Sequence, residues 1–227
     1  MGQNSCVSFD RRTVLRDSLS VAIPVGSYGA AFGAAAVAGG FSVPQACALS
    51  LLLFSGASQF AVVGVMAGGG SFFSAIATGA LLGMRNGLYG MRMAPILRLS
   101  GIRKLIGAQI TIDESTGVAI SQESRGEGAM RYGFFATGFG VFLFWNTFTL
   151  IGALGANSIG DPSSWGLDAA VPAAFLGLVW PRLVDKKARM AALFSLTLAL
   201  ALTPILGSGL PIIATVFIAL VLGWKAS

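Results

Sequence analysis

The sequence predicts an all-α polytopic membrane protein with about six to eight transmembrane segments, some of them broken or re-entrant. Of its 227 residues, 55% are hydrophobic and only 11% are charged, and the mean hydropathy is +0.78. Soluble domains carry about 25% charged residues, so the composition excludes a water-soluble fold. The apolar residues also form separate runs of about 20 residues, the length of a helix that crosses a bilayer.

The formal net charge of +6 comes from arginines and lysines that flank the apolar runs. Such flanking charges set the orientation of membrane helices, so they indicate the lipid bilayer as a partner and no nucleic acid. The chain has no histidine, and Cys6 and Cys47 stand far apart without a CxxC motif. No metal site, haem or other cofactor is therefore predicted.

Residues 1–227 are interpreted as a single integral membrane domain, because no polar stretch is long enough for a separate soluble one. A polar hinge near residues 122–128 is the clearest internal boundary. Arg11, Arg12 and Arg16 precede the first apolar run, and positive charges predict that the N-terminus lies inside the cell. The polar segment before this run is long for a signal peptide, so we expect the first span to be retained.

The first two apolar runs contain the small and polar residues that matter most for packing. The first run, about Leu19 to Gly39, contains Gly29-xxx-Gly33, a spacing that permits close contact between helices. The second, about Gln45 to Ala67, has Phe54-Ser55-Gly56-Ala57-Ser58-Gln59-Phe60 at its centre. A glutamine facing lipid there would have no hydrogen-bond partner. This centre is therefore predicted to be an interior, partly unwound segment.

The third and fourth runs place ionisable residues near their centres. The third, about Phe72 to Leu97, has Arg85 at its midpoint. Arg85 either faces the protein interior as a functional residue or marks the end of a half-helix and extends to the interface. The fourth, Leu105 to Ser121, is centred on Asp113-Glu114 and is either a surface linker, a span or a re-entrant piece.

The remaining runs follow the hinge. They are predicted as a span over Ala129–Ala153, a polar loop over Asn157–Asp168, a short span over Ala169–Trp180, a basic loop from Arg182 to Arg189, and two last runs, Ala191–Leu206 and Leu210–Trp224. If the N-terminus, the hinge and the basic loop all lie inside, an even number of crossings separates each pair. Three strong runs precede the hinge, so either the Asp113-Glu114 segment also crosses, giving eight, or one earlier run is re-entrant, giving six. Eight helical segments, not all full-length, are favoured, although eight crossings would put Arg98, Arg103 and Lys104 outside.

Three consecutive segments thus carry polar groups near their centres, and we expect these groups to converge at one depth. Arg85 would then pair with Asp113 or Glu114, since buried charges need partners. Broken helices around a midplane polar site recur in secondary transporters. The predicted substrate-binding residues are Gly56, Ser58, Gln59, Arg85 and Asn86, and the predicted proton-coupling residues are Asp113 and Glu114.

A zwitterionic substrate would direct its carboxylate to Arg85 or to exposed backbone N–H groups, and its ammonium to carbonyls, Gln59 or an acid. An apolar side chain would lie against aliphatic and aromatic residues such as Phe60, Leu88 and Phe144. The alternative interpretation is that the polar groups only hold the helices together.

Several motifs resemble the AzlC family of branched-chain amino acid permeases. They are Gly56-Ala57-Ser58-Gln59-Phe60, Arg85-Asn86-Gly87-Leu88-Tyr89-Gly90, Asp113-Glu114-Ser115, Gly166-Leu167-Asp168 and Pro172-Ala173-Ala174-Phe175. The resemblance implies a multi-pass protein of the bacterial inner membrane that exports leucine, isoleucine, valine and often methionine. It also implies a small second membrane subunit of the AzlD type. The family often has histidine where this chain has Asn86, which moves the expected proton coupling to Asp113 and Glu114.

Two other classes of function compete with a transporter. An intramembrane enzyme, such as a Ser58/Asp113 hydrolase, would need a nucleophile–base pair that the spacing does not provide, so no enzymatic activity is predicted. A non-catalytic assembly subunit of a larger complex is favoured only by the many small residues, which are common at helix contacts.

Overall fold

The computed structural model describes residues 9–158, 173, 176–177, 179–180, 183–206 and 209–218. These residues contain helices and no β-strand, which confirms the all-α class. The α-helices with assigned bounds are α1 Arg11–Ser27, α2 Gly29–Ala38, α3 Val43–Leu52, α4 Gly56–Ala67, α5 Phe72–Leu97, α6 Ile102–Gln109, α7 Asp113–Ser121, α8 Glu127–Ser158, α9 Lys186–Leu202 and α10 Leu210–Ala214. A 3₁₀ turn, Glu123–Arg125, lies at the predicted hinge.

Among the described residues, two helices are long and apolar enough to cross a membrane. They are α8 and the continuous stretch Arg11–Ala38, which joins α1 to α2, and each has a window of mean hydropathy 1.5. The helices α3 and α4 are apolar but shorter. This pattern fits a membrane protein, while the span count and the assignment of one domain to residues 1–227 stay predictions.

The stretch α1–α2 packs closely along α8, and the two run in the same direction. Val14 lies beside Gly133, and Ala22 lies beside Gly140. A Cβ atom added to Gly29 or Gly33 would collide with the backbone of α8. The predicted close contact at the Gly29-xxx-Gly33 spacing is therefore confirmed, and its partner is α8.

Several ends of helices meet at one end of the molecule. The ring of Phe9 lies 5.8 Å from that of Tyr132, and Arg98 at the end of α5 forms an ion pair of 3.2 Å with Glu127 at the start of α8. We call this the proximal end, and the opposite end, where α2 ends, the distal end. Asp10, just before α1, accepts hydrogen bonds from the Thr13 hydroxyl and the Arg12 N–H, which lower its pKa.

The helices α3 and α4 form a re-entrant hairpin, which we call hairpin 1 (Val43–Ala67). The chain enters α3 four residues after Gly39, and Gly39 also contacts Ala67 at the end of α4. Both ends of hairpin 1 therefore lie at the distal end. Ser42 and Gln45 form a capping box that fixes the start of α3. The tip, Leu53–Ser55, interrupts the helix just before Gly56, a residue of low helix propensity.

The helices α6 and α7 form a second re-entrant hairpin, hairpin 2 (Ile102–Ser121), which enters from the proximal end. It begins four residues after Arg98, and Gln122, which follows α7, contacts Gly133 near the start of α8. Its tip is Ile110-Thr111-Ile112, a run of β-branched residues that disfavours helix. The structure shows that the segment around Asp113-Glu114 folds back on itself as a helical hairpin, which fits the re-entrant interpretation, while its placement in the membrane stays a prediction.

The two hairpins reduce the number of helices that run from one end of the molecule to the other before the hinge. Because both fold back, the long helices that run from end to end over residues 9–126 are α1–α2 and α5. Arg98 lies at the same end as the hinge, and the number of membrane crossings stays a prediction. Arg85 lies within the continuous helix α5, so it does not mark the end of a half-helix.

Some sequence predictions shift or lie beyond the described residues. The polar loop predicted from Asn157 begins later, since α8 continues to Ser158, and half of the predicted basic loop belongs to α9. The span over Ala169–Trp180, most of the loop before it, and the chain after Ile218 lie outside the described residues or only partly within them.

Candidate functional site

The tips of the two hairpins meet beside the middle of α8. The ring of Phe54, at the tip of hairpin 1, lies 5.0 Å from that of Phe142. Ile110, at the tip of hairpin 2, packs directly on Gly138. The Gln109 side chain joins the tips, because its Nε2 donates to the Leu51 carbonyl at 2.9 Å. Backbone that is unwound at membrane depth is tolerated where it lies against protein or a cavity, as here.

The returning helix of each hairpin begins at the tip, so two helix N-termini face this region. Helix α4 begins at Gly56 and runs to the distal end, and α7 begins at Asp113 and runs to the proximal end. Within the described residues, no side chain caps the start of α4. The first N–H groups of a helix have no intrahelical acceptor and carry partial positive charge. The start of α4 therefore suits a carboxylate.

A cavity of about 310 Å³ lies between the tips, α1, α5 and α8. This volume is at the lower end of the range for small-molecule sites, about 300–1,000 Å³. The cavity is lined by Val25, Tyr28, Phe54, Ser55, Gly56, Ala57, Arg85, Asn86, Ile112, Asp113, Glu114, Val141, Trp145 and Gly177. Five of the seven predicted site residues are among them: Gly56, Arg85, Asn86, Asp113 and Glu114.

An ion pair crosses the cavity wall from α5 to α7. Arg85 Nη1 lies 2.9 Å from Asp113 Oδ2, and the two side chains are 32% and 19% exposed. The predicted pairing of Arg85 with one of the two acids is thus confirmed for Asp113. Arg85 Nε and Asn86 Oδ1 are buried and make no hydrogen bond to any described residue. The site therefore keeps an unused donor and an unused acceptor beside the ion pair.

Gln59 is fully buried behind the cavity and bonds to protein groups. Its Nε2 donates to the carbonyls of Leu53 at 2.6 Å and Ser50 at 3.3 Å, and its Oε1 accepts from the indole N–H of Trp145 at 2.9 Å. The amide thus satisfies carbonyls at the interrupted end of α3. Gln59 does not line the cavity, so its binding of substrate stays a prediction.

Ser58 also lies behind the cavity wall. It is fully buried, its hydroxyl donates to Ser55 Oγ at 3.1 Å, and it lies beside Gly83 of α5. The local role that the structure shows is to hold the first turn of α4 against α5. Its predicted binding of substrate likewise stays a prediction.

The apolar lining differs from the predicted one. Phe60 lies in the core, with its ring 5.5 Å from that of Phe32, and Leu88 is 62% exposed. Phe144 packs against the same core from α8. The side chains that line the cavity are instead Val25, Phe54, Ile112, Val141 and Trp145, because the hairpin tips and the α1–α8 interface face it.

Sequence reasoning missed two residues that shape the site. Trp145 lies within the predicted span Ala129–Ala153 and is not among the predicted site residues, yet its indole N–H donates to Gln59, and its ring lies 3.0 Å from where a Cβ on Gly56 would be. Gln109 is not among the predicted site residues. Like Gln59, it is an amide within an apolar run and next to an interruption of the helix, and this sequence pattern could have identified it. Together Gln59 and Gln109 bond to four consecutive carbonyls at the end of α3, those of residues 50–53.

Each hairpin and the long helix that follows it form one copy of a repeated unit, and the two copies run in opposite directions. Each returning helix packs antiparallel on the long helix that follows it, α4 on α5 and α7 on α8, and α5 and α8 run in opposite directions. A serine stands at the third position of both returning helices, Ser58 and Ser115, and each bonds to the tip before it. Inverted repeats that meet at a midplane site are typical of secondary transporters.

Comparison with protein families identifies the chain. The profile described as "AzlC protein" matches residues 20–159, which is more than half of the sequence. The chain belongs to the AzlC family. This transport-associated family fits a membrane protein with a transport-related role and is not a known enzyme family.

The AzlC match covers both hairpins and all of the cavity-lining residues except Gly177. It includes the first three motifs of the sequence resemblance, whereas those at 166–168 and 172–175 lie beyond it and almost entirely outside the described residues. No curated protein and no solved structure matches the chain. Among the described residues, no cluster of metal-ligating side chains occurs.

Proposed function

We propose that this AzlC-family protein is the large subunit of a secondary transporter that exports leucine, isoleucine and valine across the bacterial inner membrane, with methionine as a further candidate substrate. The observation that carries the proposal is the cavity between the hairpin tips. It combines a cation, two carboxylates and a helix N-terminus with an apolar wall, which are the groups that an apolar amino acid requires.

The substrate carboxylate faces the N–H groups at the start of α4 and the Arg85 guanidinium. Gly56 suits this position because the absence of a side chain lets the carboxylate approach the backbone closely. Arg85 contributes its buried Nε–H, and a guanidinium binds a carboxylate more specifically than an ammonium group does. The binding energy of this end of the substrate is common to all amino acids.

The ammonium group and the side chain of the substrate face the other walls. Asp113 and Glu114 at the start of α7 attract the ammonium group. The aliphatic side chain lies against Val25, Val141 and Trp145, where burial of apolar surface stabilises it by about 25 cal/mol per Å². A shallow apolar wall with no partner for a hydroxyl or an amide favours branched aliphatic side chains over polar ones.

Asp113 and Glu114 also couple transport to protons. Carboxylates in a membrane cavity that change protonation state recur in proton-driven transporters. The substrate carboxylate competes with the Asp113 carboxylate for the Arg85 guanidinium. Binding of the substrate and binding of a proton at Asp113 therefore depend on each other. Asn86 cannot take part in this exchange, since an amide does not titrate.

A small membrane subunit of the AzlD type completes the transporter. The test is efflux of labelled leucine, isoleucine or valine from preloaded bacterial cells that carry this gene, its neighbour, both or neither. Efflux that requires both genes supports the proposal. Equal efflux from all four strains would overturn it, and efflux that needs only the neighbour would make this chain an assembly subunit.

A further inference from the structure

Three buried hydroxyl groups in the described part of the chain have no hydrogen-bond partner there, those of Ser18, Thr116 and Thr137, and two of these residues are fully buried. Ser18 on α1 and Thr137 on α8 are fully buried, and neither Oγ atom bonds to a described residue. Other buried hydroxyls, such as those of Thr78 and Thr111, donate to a carbonyl one turn earlier in the chain. Buried polar groups without a protein partner commonly hold an ordered water molecule.

The two hydroxyls lie at the same level of one helix interface. Val14 contacts Gly133, and Ser18 and Thr137 each stand four residues later on the parallel helices α1 and α8. The next contact, Ala22 with Gly140, lies one turn beyond them. Residues four apart share a helix face, so both hydroxyls lie between these two contacts.

Helix α7 brings Glu114 to the same level. Val118 also contacts Gly133, and α7 runs antiparallel to α8. Glu114 stands four residues before Val118, on the same face and one turn closer to the tip of hairpin 2. Val25 and Val141 also line the cavity and follow Ser18 and Thr137 on the same helices, so the hydroxyls lie on the proximal side of these cavity walls.

A polar cluster continues the series to the proximal end. Gln122 is buried against Gly133, and its Nε2 donates to Asp17 Oδ2 at 3.2 Å. Asp17 precedes Ser18 in sequence, is 43% exposed and forms an ion pair of 3.0 Å with Arg125. Oxygen and amide groups therefore follow one another from Glu114 through Ser18 and Thr137 to Asp17.

We propose that Ser18 and Thr137 hold buried water that passes a proton between Glu114 and the Asp17 cluster at the proximal end. The O–H bond of the Glu114 carboxyl breaks, the water accepts that proton and gives up another to the next oxygen, and the proton leaves through Asp17 to bulk water. Glu114 remains as a carboxylate, and nothing is oxidised or reduced. The charged groups that surround this step are Arg85 and Asp113 in the cavity and Arg125 beside Asp17.

This inference rests on the proposed function, because it supplies the route for the coupled proton. The test uses the full chain, with its co-purifying small subunit, in vesicles that contain a pH-sensitive dye. Two rates are compared: substrate-driven proton movement, and exchange of labelled for unlabelled leucine, which needs no net proton transfer. The variants are Ser18→Ala and Thr137→Val, with Thr137→Ser as the conservative variant and Thr78→Val as the matched control.

The expected result is selective. Ser18→Ala and Thr137→Val lower proton movement by at least about tenfold, the scale of a lost proton-transfer group, and leave leucine exchange within about twofold of the unsubstituted protein. Thr137→Ser and Thr78→Val change neither proton movement nor leucine exchange by more than about twofold. Thr78 is a fair control because it is as buried as Thr137 but bonds within its own helix.

Four results would overturn the inference. Proton movement unchanged in Thr137→Val would show that the hydroxyl carries no proton. Loss of both rates together, in folded protein, would show a structural role instead. Leucine exchange by the unsubstituted protein without any proton movement would remove the coupled proton but leave the substrate assignment intact, whereas the absence of all exchange would overturn the proposed function as well.

Discussion

Arg85 Nη1 lies 2.9 Å from Asp113 Oδ2 and so joins the middle of a continuous helix to the first residue of a re-entrant one. The pair lies in the cavity wall and is only partly exposed. An ion pair in such a place contributes little net stability, since desolvation offsets the attraction. In the proposed function, the substrate carboxylate exchanges with Asp113 as the partner of Arg85.

Substitution of Arg85 tests its role in binding. Arg85→Ala is expected to lower leucine efflux by about tenfold to a hundredfold, since a hydrogen bond to a charged group contributes about 1.5–3 kcal/mol. Arg85→Lys keeps the charge but loses the planar guanidinium, so leucine efflux by this variant should lie between that of Arg85→Ala and that of the unsubstituted protein. Arg92→Ala, an exposed arginine two turns along the same helix, is the control. Equal efflux from Arg85→Ala and Arg92→Ala would exclude Arg85 from the site.

The bond between Gln59 and Trp145 predicts an effect on stability. Gln59→Ala leaves the Ser50 carbonyl and the Trp145 indole without this partner, while the Leu53 carbonyl keeps the N–H of Ser55, and each unsatisfied buried group costs about 1–3 kcal/mol. The unfolding temperature of the purified protein should therefore fall more for Gln59→Ala than for Trp145→Phe. In a double-mutant cycle, the two effects should not add. Additive effects would contradict the bond.

Gly56 is expected to set the size of the substrate. A Cβ there would lie 3.0 Å from the Trp145 ring and would narrow the cavity. Gly56→Val should lower efflux of all amino acids, because it obstructs the proposed carboxylate position. It should lower that of leucine and isoleucine further than that of alanine, because it also displaces the Trp145 ring of the apolar wall, by about a further 1–3 kcal/mol or tenfold to a hundredfold. Gly87→Ala is the matched control, because no described atom beyond its own helix lies within 4 Å of an added Cβ. An unchanged ratio of leucine to alanine efflux would place the side-chain pocket elsewhere.

The fold-back of hairpin 1 can be tested by cross-linking. A Cβ on Gly39 would lie 3.3 Å from Ala67 Cβ, close to the separation that a disulfide requires. With Cys6 and Cys47 changed to serine, Gly39→Cys with Ala67→Cys should form a disulfide on mild oxidation, and Gly39→Cys with Ala94→Cys should not. If α3 and α4 formed one straight helix, residues 43 and 67 would be about 35 Å apart, so no cross-link would form.

Much of the cavity was predictable from the sequence because charged and amide groups within apolar runs need interior partners. This argument identified Gly56, Arg85, Asn86, Asp113 and Glu114, all of which line the cavity. It did not separate them from Gln59, since an amide that satisfies an interrupted helix and one that binds a substrate have the same sequence pattern. The apolar wall was not predictable, because it depends on how α1 packs on α8.

The sequence also could not predict that the two hairpin segments fold back. Hydropathy shows that a run is apolar but does not show whether it crosses or folds back, and hairpin 1 is as long as a full span. The contact that decides this joins Gly39, which follows α2, to Ala67 at the end of α4. The charge pattern predicts an even number of crossings before the hinge, and two hairpins that fold back are compatible with that prediction, with Arg98 at the same end as the hinge.

Equilibrium binding of labelled leucine to the purified full chain tests the central claim most directly, that the hairpin tips enclose an amino acid site. The expected result is saturable binding that unlabelled isoleucine and valine displace, that Arg85→Ala weakens by at least about tenfold, and that Arg92→Ala leaves unchanged. Folded protein that binds no branched-chain amino acid, or that binds leucine equally well with Arg85→Ala, would contradict it.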